Sequence, residues 1–221
     1  MTFKKIDLTG MGPREANMLI KDESRKSKKL HITNPHSMNF LAAGLKGNIE
    51  VQVTGDLGYY AGSMIDGVKM TVEGRCGWYP ADNMTCGEFT IIKDGGDGAG
   101  QGMYGGLLYV KGNTNSRTGQ IMKNGTIVVG GNTGFMAGLY MMGGKIIVLG
   151  DLGHCAGESM IGGKILFSGE ATSLGKNTQV AEINEEDRKE LKEIFNRYDI
   201  KANPDQFRKI VPEKIRPFYG D

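Results

Sequence analysis

Apolar residues in the middle of the chain recur at a fixed interval of nineteen. Val51, Met70, Phe89, Leu108, Ile127, Ile146 and Ile165 form one column, and Val53, Val72, Ile91, Val110, Val129, Val148 and Phe167 a second. Two residues separate the columns, which puts their side chains on one face of a strand. The position before the first column reads Lys69, Glu88, Leu107, Thr126, Lys145 and Lys164, mostly polar and so directed outward. Each repeat therefore predicts one short strand with two inward residues, seven strands in all. A further column, Ile65, Met84, Met103, Met122, Met141 and Met160, keeps the period, as do the small residues Ala61, Pro80, Ala99, Thr118, Ala137 and Ala156.

Glycines mark the same frame. Of the 35 in the chain, all but Gly10, Gly12, Gly44, Gly175 and Gly220 fall between Gly47 and Gly169. One column holds Gly55, Gly74, Gly112, Gly131, Gly150 and Gly169, with Lys93 in the missing place; a second holds Gly58, Gly77, Gly96, Asn115, Gly134 and Gly153. A third runs Gly62, Ala81, Gly100, Gly119, Gly138 and Gly157, and a fourth runs Gly67, Cys86, Gly105, Asn124, Gly143 and Gly162. Collagen would need glycine at every third position, and glycine-rich disorder would lack the aliphatic columns.

A coil that returns to the same place every nineteen residues satisfies both patterns. Its strands stack about 4.8 Å apart into a rod roughly 30 Å long. The flexible thioethers fill its interior. The glycines are structural, serving corners with φ > 0 or close backbone approach. Asp56, Asn113, Asn132 and Asp151 suit turns that visit the left-handed region. Helices within each repeat are excluded by the glycine content. Hexapeptide coils need multiples of six, and the calcium-binding nonapeptide pattern is absent. The fold class is thus an all-β core, a single-stranded β-helix of about seven turns.

The coil spans residues 47–175, between an N-terminal segment (1–46) and a C-terminal helix and tail (176–221). Pro13–Ile20 predicts a short helix after Gly12, and Lys21–Lys29 a charged connector. Asn34–Leu45 leads into the first turn, with Ala42 in phase with the small-residue column. After Gly175, Asn184 followed by Glu185, Glu186 and Asp187 reads as a helix N-terminus. Leu191, Ile194, Phe195 and Tyr198 give that helix an apolar face, to cover the last rung or meet a partner. Phe207, Ile210, Val211, Ile215, Phe218 and Tyr219 read as an irregular tail pressed against something.

Charge is nearly balanced, 27 Lys plus Arg against 25 Asp plus Glu, which argues against nucleic acid or an anionic membrane as partner. Met1–Leu8 lacks the apolar run of a signal peptide, and no stretch reaches membrane-spanning length. Cys76, Cys86 and Cys155 show no CxxC spacing, so a cytoplasmic location with reduced thiols is expected. Catalytic constellations are thin. Gly95–Gly102 mimics a phosphate loop but follows the repeat register and lacks the Lys-Ser/Thr of a nucleotide site. His154, Cys155 and Glu158 share a corner, yet nothing completes four metal ligands. Cys155 has no assignable base. No catalytic, cofactor-binding or metal-binding residue is therefore assigned. Tyr59 and Trp78 share one column and Tyr60 and Tyr79 the next, so four aromatics stack on the first two corners, either as a partner interface or as satisfied intramolecular packing.

The repeated G-x-x-G-x-x-x-G, as in Gly150-Asp151-Leu152-Gly153-His154-Cys155-Ala156-Gly157, together with Asn39–Leu45, Gly55–Tyr60, Gly74–Trp78 and Gly125–Gly143, resembles the stand-alone form of the glutamate synthase C-terminal β-helix domain. The resemblance covers Asn34–Gly175 and weakens beyond. It implies a right-handed coil acting as a non-catalytic scaffold, between a glutamine amidotransferase subunit and an FMN and iron–sulfur synthase subunit that aminates 2-oxoglutarate. Those cofactors would lie in the partners. Thr2 stands where a processed nucleophilic cysteine would be. The same coil occurs in one of the subunits of formylmethanofuran dehydrogenase and in one of those of methylamine–glutamate N-methyltransferase, which are the alternative parent complexes. A third alternative is an independent binding module, homo-oligomeric through its rod ends or aromatic patch.

Overall fold

The computed structural model describes residues 2–215. Its elements are β1 (Lys4–Asp7), α1 (Pro13–Lys26), β2 (Lys29–Thr33), β3 (Lys46–Thr54), β4 (Asp66–Val72), β5 (Gly87–Ile91), β6 (Leu107–Val110), β7 (Thr126–Val129), β8 (Lys145–Val148), β9 (Lys164–Phe167), β10 (Thr178–Glu182), α2 (Glu185–Tyr198) and β11 (Arg208–Pro212), with a 3-10 turn at Pro204–Gln206. One sheet runs in the order β1 to β9, then β11 and β10. β1 to β9 pair in parallel, neighbour to neighbour. β11 pairs antiparallel with β9 and with β10.

The seven strands β3–β9 are the seven of the nineteen-residue pattern, in register. Ile127 lies opposite Ile146, and Ile146 opposite Ile165. Both inward columns are buried, and so are Ile65 and the methionines from Met84 to Met160. Isolated bridges from Leu57 to Cys76, Gly95 and Thr114, and from Thr133 to Leu152 and Ala171, close a second wall opposite the strands. Packed side chains fill the space between the two walls.

The N-terminal segment is more regular than its sequence suggested. The helix does not stop at Ile20 and Lys21–Lys29 is not a connector, because Ala16, Ile20 and Ser24 continue one buried face at a spacing of four. β2 then turns Leu30 and Ile32 inward, and β1 does the same with Ile6 beside buried Leu8. Leu30 lies opposite Val51, twenty-one residues away. Adding two residues to the period keeps every side chain on its face. The corner before β3 adds one residue instead. Leu41, not Ala42, takes the small-residue place, since its carbonyl accepts from Gly62 N–H as Ala61's does from Ala81. Ala42 sits at φ 58°, in the column of Gly62.

The C-terminal helix forms as the sequence predicts, but its position differs from a cover over the last rung. Between the inward columns lies an outward one, Gln52, Thr71, Thr90, Tyr109, Val128, Ile147 and Leu166. It is polar on β3–β5 and apolar on β6–β9. α2 lies against the apolar part, where Leu191, Phe195 and Phe207 bury Val128, Ile147 and Leu166 completely. Each of those three side chains contributes about 1.5–3 kcal/mol relative to exposure. The last rung is instead covered by β11 and β10, with Ile210 and Thr178 buried at the mouth of the coil. The tail expected to be irregular is therefore a strand through Pro212; Phe218 and Tyr219 lie outside the described residues.

A reciprocal capping box between Asn184 and Asp187 starts α2, and Asp199 ends it in the left-handed region. The Asp187 carboxylate is 2% exposed and accepts from Lys164 on β9 at 2.6 Å and from Lys209 on β11 at 2.7 Å. Glu190 bridges Lys145 and Lys164 one helical turn further on. At the other end of α2, Arg197 and the Tyr198 hydroxyl both hold Glu88 on β5.

Candidate interaction surface

At the corners that follow the glycine turns, each rung reverses through two positions, exposed or half-buried on most rungs, before entering the small-residue column. Tyr59 and Trp78 stand at the first position, Phe40, Tyr60 and Tyr79 at the second. Tyr60 and Tyr79 have φ of 59° and 60°, and Phe40 matches them at 60°. Equivalent residues on successive rungs are one strand spacing apart, so their rings stack. Tyr59 lies on Trp78 with centroids 4.8 Å apart and planes 5° from parallel. Phe40, Tyr60 and Tyr79 form a triple stack at 5.3 and 4.9 Å. These rings point outward: Phe40, Tyr59 and Trp78 are 49%, 43% and 47% exposed. Phe40 escaped the sequence pattern because the extra residue before β3 puts it twenty, not nineteen, from Tyr60.

Exposed apolar groups continue along this side of the rod at Met64, Tyr104, Phe135, Tyr140 and Met142. Tyr104 also carries Lys123 Nζ over its face at 4.5 Å. The next corner is built differently. There Asp94, Asn113, Asn132 and Asp151 each accept, through Oδ1, the backbone N–H one rung further on, at 2.8–2.9 Å. Asp56 does the same for Arg75 N–H. This ladder explains the glycine before Asn113, Asn132 and Asp151, each of which follows a rung that carries an Asx residue. A Cβ on Gly131 would collide with Asn113 Oδ1, and one on Gly150 with Asn132 Oδ1.

The stretch resembling a phosphate loop turns its amides to neighbouring rungs. Gly98 N–H donates to Ser116 O, Gly100 N–H to Pro80 O and Gly102 N–H to Gln120 O. His154, Cys155 and Glu158 share one corner without converging. His154 Nδ1 is 3.4 Å from Ser173 Oγ, Cys155 N–H donates to that same Ser173 Oγ, and Glu158 accepts from Ser159 and from Lys176 N–H. Cys76 is buried inside the second wall, where burial, and then the Asp56 charge, push its thiol pKa up. Cys86 is exposed and Cys155 half-buried. Among the described residues no three His, Cys, Asp or Glu side chains gather as metal ligands. No helix among them is long and apolar enough to cross a membrane.

The GXGXG motif family is matched over residues 12–213, nearly the whole described chain. The chain belongs to the GXGXG motif family. A curated relative is Protein GlxC of Rhizobium meliloti (strain 1021), 36% identical over 88 residues. That match spans 39% of this chain and 39% of the length of GlxC. In this GXGXG protein, then, the motif glycines are spent on stacking rungs, and what remains accessible for function is the outer surface.

Proposed function

We propose that this protein is a non-catalytic scaffold subunit of a glutamate-synthase-type complex. It positions a glutamine amidotransferase subunit and an FMN and iron–sulfur synthase subunit so that ammonia passes from one to the other and on to 2-oxoglutarate. Membership of the GXGXG motif family supports the parent class. The observation that carries the scaffold reading is the contrast between the interior and the surface. Packed methionines and aliphatics fill the coil, while a ladder of stacked aromatics stands bare on one corner. Exposed aromatic groups of this size anchor partners rather than substrates when no polar groups converge on them.

The isolated chain is expected to hydrolyse no glutamine and to purify without flavin, and the native protein to co-purify with both partner subunits. Trp78→Ala with Tyr79→Ala should leave the circular dichroism and melting curve near wild type and reduce recovery of the complex at least tenfold. Stoichiometric FMN on the isolated chain, or normal recovery of the complex with the double variant, rejects this function.

A further inference from the structure

We propose that Asn124 is a site of spontaneous chemical modification in the folded protein, where it loses its side-chain amide and becomes an acid. Asn124-Gly125 is the chain's one Asn-Gly pair. It lies at the turn into β7, with Asn124 exposed. The Gly125 N–H donates to Asn124 Oδ1 at 2.8 Å, which sets the backbone nitrogen beside the side-chain carbonyl carbon. Among the described residues that N–H makes no other hydrogen bond, and the Asn124 carbonyl accepts none. The peptide plane between the two residues is therefore free to turn. On either side the chain is held, by Asn124 N–H on Met103 O and by Thr126 N–H on Gly106 O. Glycine adds no side chain to obstruct the approach of its nitrogen, and water reaches Asn124 directly.

The turn is already deformed at this point. Gly105, Gly143 and Gly162 stand in the same column, and a Cβ on them would lie 2.4, 2.3 and 2.2 Å from the carbonyl oxygens of Thr85, Lys123 and Met142. Asn124 carries a Cβ in that place. The following residue responds. Gly106, Gly144 and Gly163, each after a glycine, have φ of 79°, 78° and 78°, whereas Gly125 has 96°. Gly87, which follows Cys86 in the same column, has 99°. A side chain here opens the turn, and only at Asn124 is that side chain an amide. The ladder asparagines are held differently. Asn113 and Asn132 are followed by Thr114 and Thr133, whose N–H groups donate to Asn132 O and Asp151 O. Their own Oδ1 atoms accept from the next rung.

The reaction needs only water and solvent to carry a proton. Gly125 N loses its proton and bonds to Asn124 Cγ. The Cγ–Nδ2 bond breaks, and Nδ2 takes up a proton and leaves as ammonia. Water then opens the cyclic imide at either of its carbonyls. Attack at Cγ gives aspartate; attack at the main-chain carbonyl gives isoaspartate, which carries one extra carbon in the backbone. Both products put a carboxylate next to the column of Tyr104, Lys123 and Met142, a change of charge written into the chain without an enzyme. Isoaspartate also lengthens a rung that its neighbours hold on both sides.

The test is peptide mapping by mass spectrometry of the full chain, kept folded at about pH 8.5 and about 37 °C and sampled over several weeks. A portion digested without incubation sets the background, and a portion kept in urea gives the rate for the unfolded chain. A gain of about 1 Da should build up at Asn124 in the folded protein, at no less than about one tenth of the unfolded rate, while Asn113 and Asn132 stay intact. Asn124→Gly, which installs the residue found one rung to either side, should abolish the gain in that peptide. A folded rate below one tenth of the unfolded one overturns the proposal. So does a gain at Asn113 or Asn132 as fast as at Asn124, or one that persists in Asn124→Gly.

Discussion

Asp187 is the point at which removal of one group should separate α2 from the coil. Its carboxylate takes hydrogen bonds from Lys164, Lys209 and the Asn184 backbone N–H while shielded from water. Burial opposes its ionisation, but the bonds from Lys164 and Lys209 outweigh burial and hold its pKa at about 2, against 3.8 for a free aspartate. A depressed acid stabilises the folded state above its unfolded pKa, and loses that contribution as pH falls through the folded value. The difference in pKa converts to about 2 kcal/mol, present at neutral pH and lost between roughly pH 4 and pH 2. Asp187→Asn should cost about 2–4 kcal/mol at pH 7, because Lys209 keeps its half-buried position without a counter-charge. The gap should narrow by about 2 kcal/mol on acidification to pH 2. Urea unfolding followed by circular dichroism, at matched pH for both proteins, measures it. A gap constant from pH 7 to pH 2, or one below about 0.5 kcal/mol at pH 7, refutes the ionic account of how α2 docks.

Three core substitutions test the coil itself. Gly138 has φ 75°, and a Cβ there would lie 2.7 Å from Ile165 Cδ1. Gly138→Ala should therefore destabilise by about 2–4 kcal/mol in thermal or urea unfolding, combining left-handed strain with overpacking. Thr133 has a buried Oγ1 without a partner, because the rung that gives Thr114 a bond from Thr118 offers Ala137 here. Thr133→Val should stabilise by about 1 kcal/mol, while Thr114→Val, which leaves Thr118 Oγ1 only its longer bond to the Asn115 carbonyl, should destabilise by about 0.5–1 kcal/mol.

The repeating part of the fold was legible because a period of nineteen constrains many residues at once. Strand register, the methionine core and the outward aromatics at Tyr59, Tyr60, Trp78 and Tyr79 all follow from it. What escaped was whatever breaks the period. β1 and β2 join the same sheet through offsets other than nineteen, so Leu30, Ile32 and Phe40 fell outside the columns. The docking site of α2 was written in the outward column, where Thr90 gives way to Tyr109, Val128, Ile147 and Leu166. That switch from polar to apolar on a solvent-facing strand position is a signal that a covering element exists. The corner's left-handed residues could not be read from sequence, since Tyr, Arg, Met and Ile do not announce φ > 0 as glycine does.

The two exposed sides of the coil also serve as controls for each other. On the flank of β6–β9 the chain carries apolar outward residues and covers them with its own helix, reinforced by five charged groups at Lys145, Lys164, Asp187, Glu190 and Lys209. On the aromatic corner it carries apolar residues of larger size, of which Tyr60 and Tyr79 are half-buried while Phe40, Tyr59 and Trp78 stay exposed. Solubility alone would favour polar side chains or glycine at such positions, as at Gly98 and Gly102. A repeat protein can replace a corner residue without disturbing its core, because each rung contacts only its neighbours. Nothing in the folding of the coil therefore compels the exposed pair Tyr59 and Trp78, and the physical reason for them has to lie in what the corner meets.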